Sequence, residues 1–292
     1  MKFALLGHPV AHSLSPVIHR AAYRELGVEH EYGLIDAPTE ADVERALQAV
    51  RDGELAGVNV TIPWKRQAYA AAARRSPLAE RLGVANVLAR AGGELTAHNT
   101  DALALETEFT QLTTTRCAVV LGSGGAAPAV VAACQAAGIG EVYVSARRFA
   151  PEVVESEWPG AAELERLGAK LLAWPAASAW AKAEFEQRCE SAGLVVQCTS
   201  AGMQGKDAGE PIAELVPWTA LAADALAYDL VYAPLETPFL RVARAAGRRT
   251  AHGLNMLVGQ AALSVEIWLG QRPAAEPLLA AALAELERRR GS

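Results

Sequence analysis

The chain has 292 residues, 51% of them hydrophobic, with a formal net charge of −6 and four cysteines. That length and apolar content suit one large domain or two smaller ones, and the acidic balance argues against a nucleic-acid polyanion as the main partner while leaving room for a local basic pocket. No run of about 18 or more apolar residues suggests a membrane span. The opening "MKFALLGHPVAHSLSP" lacks the apolar length and cleavage site of a signal peptide. Cys117, Cys134, Cys189 and Cys198 form no C-x-x-C pair, which speaks against structural disulfides and zinc and for a cytoplasmic protein.

In chain order, "KFALL" reads as a first strand. A helix follows from about Pro16 to Leu26, with Ser15 as its N-cap and Pro16 at its first position. "EYGLID" is a second strand, the spacing over 39–51 is helical, and "LAGVNVTI" is a third strand. A helix after Lys65 and strands at "ANVLAR" and "ELTAHN" complete a βαβαβ pattern, which predicts an α/β unit with a mostly parallel sheet. A second α/β run opens at about Cys117 with a strand, a glycine turn and a helix. Strands at "EVYVSARR", "AKLLAW", "AGLVVQCTS" and "DALAYDLVY" follow. Helices over about 237–246, 254–269 and 275–290 end the chain, the first closed by Gly247 at C′. The Ala-rich, Trp-containing stretch 173–184 is the hardest to assign, and the segment 150–190 carries no functional motif.

"VVLGSGGAAPAV" sets Gly122, Ser123, Gly124, Gly125 and Ala126 between an apolar strand and an apolar helix. Glycines allow a tight turn and a close approach to a pyrophosphate that faces helix N–H groups. The lengths of strand, turn, helix and next strand fit a dinucleotide fingerprint, which a purely structural turn would not require. The next strand ends in Ser145, Arg147 and Arg148, where an NAD site would carry an acidic residue for the ribose hydroxyl. Guanidinium groups suit a 2′-phosphate, so NADP is the expected cofactor, against the plainer reading of a solvated Arg pair.

Three stretches place polar residues beside apolar ones. "GVNVTIPWK" leaves a core strand carrying Asn59, Thr61 and Lys65. "HSLSP" puts Ser13 and Ser15 at a helix mouth, where hydroxyls serve as caps or as ligands of a carboxylate. "AHNTDAL" puts Asp101 at the first turn of a helix, a favourable place for a carboxylate whatever its role. Asn86 in "GVANVL" could equally be a turn residue.

Taken together these pieces resemble the shikimate dehydrogenase family. Its members carry S-x-S-P, N-V-T-x-P-x-K, G-A-V-N-T, N-T-D-G, G-x-G-G-A, a strand ending N-R-T, N-A-T-S-x-G-M, Y-D-x-x-Y-x-P-x-x-T and G-x-x-M-L-x-x-Q. Here the same order reads "SLSP", "NVTIPWK", "GVANV", "NTDA", "GSGGAA", "SARR", "QCTSAGM", "YDLVYAPLET" and "GLNMLVGQ", across nearly the whole chain. The resemblance implies two α/β domains with a cleft between them. Residues 1–102 and 252–292 would form a substrate-binding and catalytic domain, and residues 103–251 a Rossmann-like NADP-binding domain. It implies reversible NADP-dependent oxidation of shikimate to 3-dehydroshikimate. The partners expected are small molecules, with no nucleic acid and no membrane, and the chain working as a monomer or homodimer without a metal.

Carried over by position, Lys65 and Asp101 would be the catalytic pair. Ser13 and Ser15 would hold the substrate carboxylate, with Tyr232 beside it. Asn59, Thr61, Asn86 and Gln260 would bond ring hydroxyls or the catalytic groups. Gly122 to Ala126 would cradle the pyrophosphate, Ser145, Arg147 and Arg148 would lie at the 2′-phosphate, and Leu230 and Gly253 near the nicotinamide. The chemistry fits: as hydride leaves carbon, the hydroxyl proton needs a partner within hydrogen-bond reach. Either Lys65 or Asp101 makes that formal transfer.

Four positions depart from the family pattern: Ala102 for Gly, Val87 for Thr, Ala146 for Asn, and Pro128 after the glycine turn, tolerable only in a first helical turn. None deletes a chemical group. Two other readings remain: a paralogue acting on quinate or an amino-substituted analogue, against which the Arg pair speaks where NAD would be used, and a sensor that binds the ligands without turnover. A different Rossmann dehydrogenase, such as one acting on a folate, would not explain the paired serines together with the Gln260 motif.

Overall fold

The computed structural model describes residues 1–150, 158 and 160–291; of the unassigned segment 150–190, residues 151–157 and 159 lie outside the described residues. The chain divides into two compact units, Met1–Ala104 with Leu257–Ser292, and Leu105–Met256.

The first unit is built on β1 (Lys2–Gly7), β2 (Glu31–Asp36), β3 (Gly57–Val60), β4 (Arg74–Arg75), β5 (Val87–Ala91) and β6 (Glu94–His98), in the order β2-β1-β3-β5-β6-β4. β1 pairs in parallel with β2 and β3, but β5 runs antiparallel to both β3 and β6. The sheet is therefore mixed, because Gly92 and Gly93 join β5 to β6 as a two-residue hairpin rather than through a helix. The helices are α1 (Ser15–Glu25), α2 (Glu40–Asp52), α3 (Lys65–Ala71) and α4 (Pro77–Leu82), together with part of α5 (Asp101–Leu112).

Strand alternation sorts the side chains to two faces. Ala4, Leu6, Val58 and Val60 join Val43, Leu47 and Val50 of α2 in one core. On the other face Phe3 stacks on Trp268 at 4.6 Å and His19 on Tyr32 at 3.9 Å. His19 is fully buried, and desolvation lowers its pKa to about 3, so the ring packs as a neutral group.

The second unit carries β7 (Cys117–Leu121), β8 (Glu141–Ser145), β9 (Ala169–Leu172), β10 (Leu194–Gln197), β11 (Leu226–Asp229) and β12 (Arg249–His252), in the order β12-β11-β10-β7-β8-β9. Every pairing is parallel. The first strand of this unit lies inside the sheet, and the chain winds outward first to one side and then to the other, which makes the β7–β10 boundary the topological switch point where such sheets bind ligands. Its helices are α6 (Ala127–Ala136), α7 (Ala161–Arg166), α8 (Ala179–Ser191), α9 (Glu210–Leu215) and α10 (Pro238–Ala245). Phe185, Cys189, Trp218 and Phe239 pack with Val119, Leu121 and Val195 on one face. Gly247 closes α10 with φ of 76°, as its sequence position predicts. The ends of α11 (Leu254–Leu269) and of α5 fall in different units, and α12 (Ala275–Arg290) packs on α1.

Candidate active site

β3 leads the chain into the site. Val58 and Val60 enter the core, so Asn59 between them faces the α1 side, where it is buried. β3 ends at Val60, so Thr61 lies just beyond the strand, although its N–H still donates to the Leu6 carbonyl at 2.9 Å. Trp64 Nε1 donates to the Ala37 carbonyl at 2.8 Å and ties down the turn into α3. Lys65 is the first residue of that helix, and Asp101 is the first residue of α5.

These two side chains meet. Lys65 Nζ lies 2.6 Å from Asp101 Oδ2, with side chains 15% and 9% exposed, so the pair is shielded from bulk water without being sealed. Asp101 Oδ1 accepts from Asn86 Nδ2 at 2.9 Å. Asn86 also donates to Thr100 Oγ1 at 2.9 Å, and its own carbonyl oxygen accepts from the Thr100 N–H at 2.7 Å. Gln260 Oε1 stands 3.5 Å from the same Asn86 nitrogen. Asn59 accepts from the Tyr32 hydroxyl at 2.7 Å and donates to Ser264 Oγ at 2.9 Å. Lys65, Asp101, Asn59, Asn86 and Gln260 thus belong to one buried polar network, in which Tyr32, Thr100 and Ser264 also take part. Sequence reasoning passed over those three. Ser264 stands one helical turn after Gln260, so its place on the same face was readable from the spacing.

The serines behave differently from expectation. Ser15 is the first residue of α1 and not its cap; the N-cap position is Leu14, which makes no side-chain cap bond. Ser13 does the capping instead: its Oγ accepts from the Ser15 N–H at 3.1 Å and lies 3.1 Å from Ser15 Oγ. Pro16 accordingly falls at the second helical position, still where a missing N–H is harmless. The loop is held from behind by Arg289 of α12, which donates to the His12 carbonyl at 2.7 Å and the Ser13 carbonyl at 3.5 Å.

In the second unit the glycine loop leaves β7 at the switch point. Gly122 has φ of 110°, and a Cβ there would lie 2.7 Å from Thr199 Cγ2, so only glycine fits. Gly124 and Gly125 are exposed, and a Cβ on either would meet no heavy atom within 4 Å, which leaves space above the loop. α6 opens at Ala126, which offers no side-chain cap, and Pro128 falls within its first turn. An uncapped helix start behind an open glycine loop fits a pyrophosphate.

Arg148 folds onto this loop, its Nε donating to Ser123 Oγ at 2.7 Å and its Nη2 to the Ser123 carbonyl. Arg147 is exposed and reaches Asp207 at 3.2 Å. Ser145 is fully buried and donates to the Ala173 carbonyl at 3.0 Å. Leu230 and Tyr232 are half-buried on the loop after β11. That loop is anchored by Asp229, which accepts from the Val231 N–H at 2.9 Å and from Thr237 Oγ1 at 2.6 Å. Burial pushes the Asp229 carboxyl up to about 7, the two hydrogen bonds working against that rise. Gly253 packs so closely on this loop that a Cβ would lie 2.2 Å from the Leu230 carbonyl oxygen.

Comparison with known proteins decides the lineage. Residues 5–88 match the shikimate dehydrogenase substrate binding domain, and residues 253–283 the shikimate 5'-dehydrogenase C-terminal domain. A shikimate dehydrogenase (NADP(+)) of Symbiobacterium thermophilum is 38% identical, over 97% of this chain and 94% of its own. The chain belongs to the shikimate dehydrogenase family. Another such relative, from Mesorhizobium japonicum, is 36% identical over 93% of this chain and 91% of its own. The crystal structure of shikimate 5-dehydrogenase from Thermus thermophilus in complex with NADP(H) and shikimate matches with a TM-score of 0.80 at 33% identity, covering 97% of this chain and 99% of that one. The shikimate dehydrogenase domain matches take in Ser13, Ser15, Asn59, Thr61, Lys65 and Asn86 at one end of the chain and Gly253, Gln260 and Ser264 at the other. Among the described residues no cluster of His, Cys, Asp or Glu could hold a metal, and no helix is long and apolar enough to cross a membrane.

Proposed function

We propose that this chain interconverts shikimate and 3-dehydroshikimate with NADP, and that Lys65 and Asp101 are its catalytic pair. The Lys65–Asp101 contact at the heart of the buried network carries this reading. Bound NADP accepts a hydride from the ring carbon, and its reduced form returns one. The protein's task is then the proton on the adjoining oxygen. An ammonium carries three hydrogens, of which one goes to Asp101, so Lys65 can hold a substrate oxygen while staying fixed by its partner. Asp101 has a bond on each carboxylate oxygen, from Lys65 and from Asn86, which suits it to orienting the lysine. Lys65 therefore exchanges the proton: its ammonium protonates the ketone oxygen during reduction, and its neutral amine takes the hydroxyl proton during oxidation.

Residues 1–102 and 252–292 supply the substrate side. Ser13 and Ser15 offer two adjacent hydroxyls for the carboxylate, with Tyr232 as a further contact, and Asn59, Thr61, Asn86 and Gln260 serve the ring hydroxyls or the catalytic pair. Residues 103–251 supply the cofactor side, where the loop from Gly122 to Ala126 takes the pyrophosphate, Arg147 and Arg148 the 2′-phosphate, and Leu230 the nicotinamide, with Gly253 from just beyond that range packed on the same loop as Leu230. The four cysteines are all free thiols and buried, which supports work in the cytoplasm. The chain acts there as a monomer or homodimer on small molecules.

A steady-state assay of shikimate and quinate, each with NADP and with NAD, tests this assignment. Turnover of shikimate with NADP is expected to dominate. Turnover of quinate with NAD, and none of shikimate, would overturn it.

A further inference from the structure

The buried network has a polarity, and one side chain sets it. Ser264 is fully buried on α11, one turn beyond Gln260. Its hydroxyl proton goes to the Gln260 carbonyl at 2.7 Å. A hydroxyl has a single proton, so toward every other neighbour this oxygen can only accept. Its neighbours are Asn59 Nδ2 at 2.9 Å and Thr100 Oγ1 at 3.5 Å.

We propose that Ser264 is a positioning residue for substrate binding, a fixed acceptor that orients the Asn59 amide and, through Thr100, supports that of Asn86. Asn59 must turn its nitrogen to Ser264, which leaves its oxygen for the Tyr32 hydroxyl at 2.7 Å. The flipped amide would face an acceptor with an acceptor at Ser264. Thr100 accepts from Asn86 through its own oxygen, so its proton is free to point at Ser264, and the Asn86 nitrogen is thereby kept toward Asp101. Asn59 keeps one amide hydrogen bound only weakly, at 3.4 Å, to the Asn86 carbonyl, while its oxygen faces the Tyr32 hydroxyl and the His19 ring. That hydrogen is the group it can turn to a ring hydroxyl. Alanine at 264 would leave the Asn59 nitrogen without its acceptor and the amide free to rotate.

The inference rests on the reading of Asn59 as a substrate-binding residue, and the test separates the two. KM and kcat for shikimate, and the dissociation constant of NADP by titration of the protein's fluorescence, are measured for Ser264→Ala, Asn59→Ala and the double variant. Ser264→Ala is expected to raise KM for shikimate by roughly 5- to 30-fold, the weight of one lost buried hydrogen bond. Turnover should fall by a smaller factor and NADP affinity should stay unchanged. In the Asn59→Ala background the same change should shift KM by less than about twofold, because the serine acts through the missing amide. Ser264→Cys, near in size and a poor acceptor, reads out the same split if the alanine variant is too unstable to assay. A wild-type KM in the Ser264 variants, or an undiminished effect in the Asn59→Ala background, overturns the role of Ser264. A wild-type KM for Asn59→Ala itself overturns the Asn59 assignment and this inference with it.

Discussion

The two units present polar groups at their candidate sites in opposite ways. In the first, the candidate site is a closed set of buried side chains bonded to one another, from Tyr32 through Asn59 and Ser264 to Thr100, Asn86, Asp101 and Lys65. In the second, the glycine loop is open and its arginines lie at the surface, resting on Ser123 and Asp207. A satisfied buried network holds its geometry before any ligand arrives and suffers when one member is lost. An exposed loop has little internal bonding to lose, and its side chains exchange modest surface contacts for ligand contacts. Damage in the first unit should therefore appear in turnover and substrate binding, and damage in the second in cofactor affinity.

The largest break should come at Lys65. Lys65→Ala is expected to lower kcat by about 10²- to 10⁴-fold, the range for a lost proton-transfer group, with a much smaller change in NADP affinity. Steady-state and binding measurements side by side check this. Equal turnover with a weakened KM would make Lys65 a binding group only.

The next effect concerns Asp229, the buried carboxylate of the second unit. Its folded pKa is raised to about 7, while an unfolded Asp titrates at about 3.9. The folded state thus keeps a proton that the unfolded chain releases, so this stability is fully present below pH ~4 and is lost as pH rises through about 7. Asp229→Asn, which cannot ionise, should gain on the wild type between pH 5 and pH 8. Unfolding temperatures of both proteins in the two buffers measure the gain; a constant difference would mean that Asp229 is charged throughout.

A smaller effect is expected at the arginines. Arg148→Ala should raise KM for NADP by about tenfold or more, as expected for lost charge-assisted bonds, and leave KM for NAD nearly unchanged. A parallel shift in both constants would remove the 2′-phosphate from the assignment. The smallest effect belongs to Asp207. Because it pairs with Arg147 at 3.2 Å and would compete with a phosphate for that guanidinium, Asp207→Asn should tighten NADP binding by less than about fivefold, the scale of an exposed ion pair. High salt should abolish the gain.

Much of this architecture could be read from the chain, and what escaped did so for physical reasons. Strand and helix periods located β1, α2, β7, α11 and α12 closely, because each has a one-sided or largely buried pattern, and β2 was located as well although only its Tyr32 is buried. β12 was missed: "RTAH" is partly exposed along its length and shows no alternation. The antiparallel turn at Gly92 and Gly93 was legible as a hairpin but was absorbed into a βαβ scheme. At the site, the meeting of Lys65 with Asp101 came from the family resemblance, since nothing local links residues 36 positions apart. Ser15 and Ser145 could not be placed from sequence, because a hydroxyl serves a cap, a carbonyl or a ligand equally well, and only the neighbours decide. The face on which Ser264 lies is readable from its spacing to Gln260, but its role is not: a serine among apolar residues on a helix reads as filler until the side chain opposite it is known.

The grip of Arg289 on the His12 and Ser13 carbonyls ties a helix made after both sheets to a loop made before most of their strands. Chains are synthesised from the N-terminus and their domains fold in that order. The second unit, being one continuous stretch, is complete once Met256 has emerged, whereas the first still awaits its closing helices. The serine loop is braced only when α12 has emerged and docked against α1. A nascent chain would thus complete its second unit before its first, and truncation within α12 ahead of Arg289 would unlatch a loop far upstream.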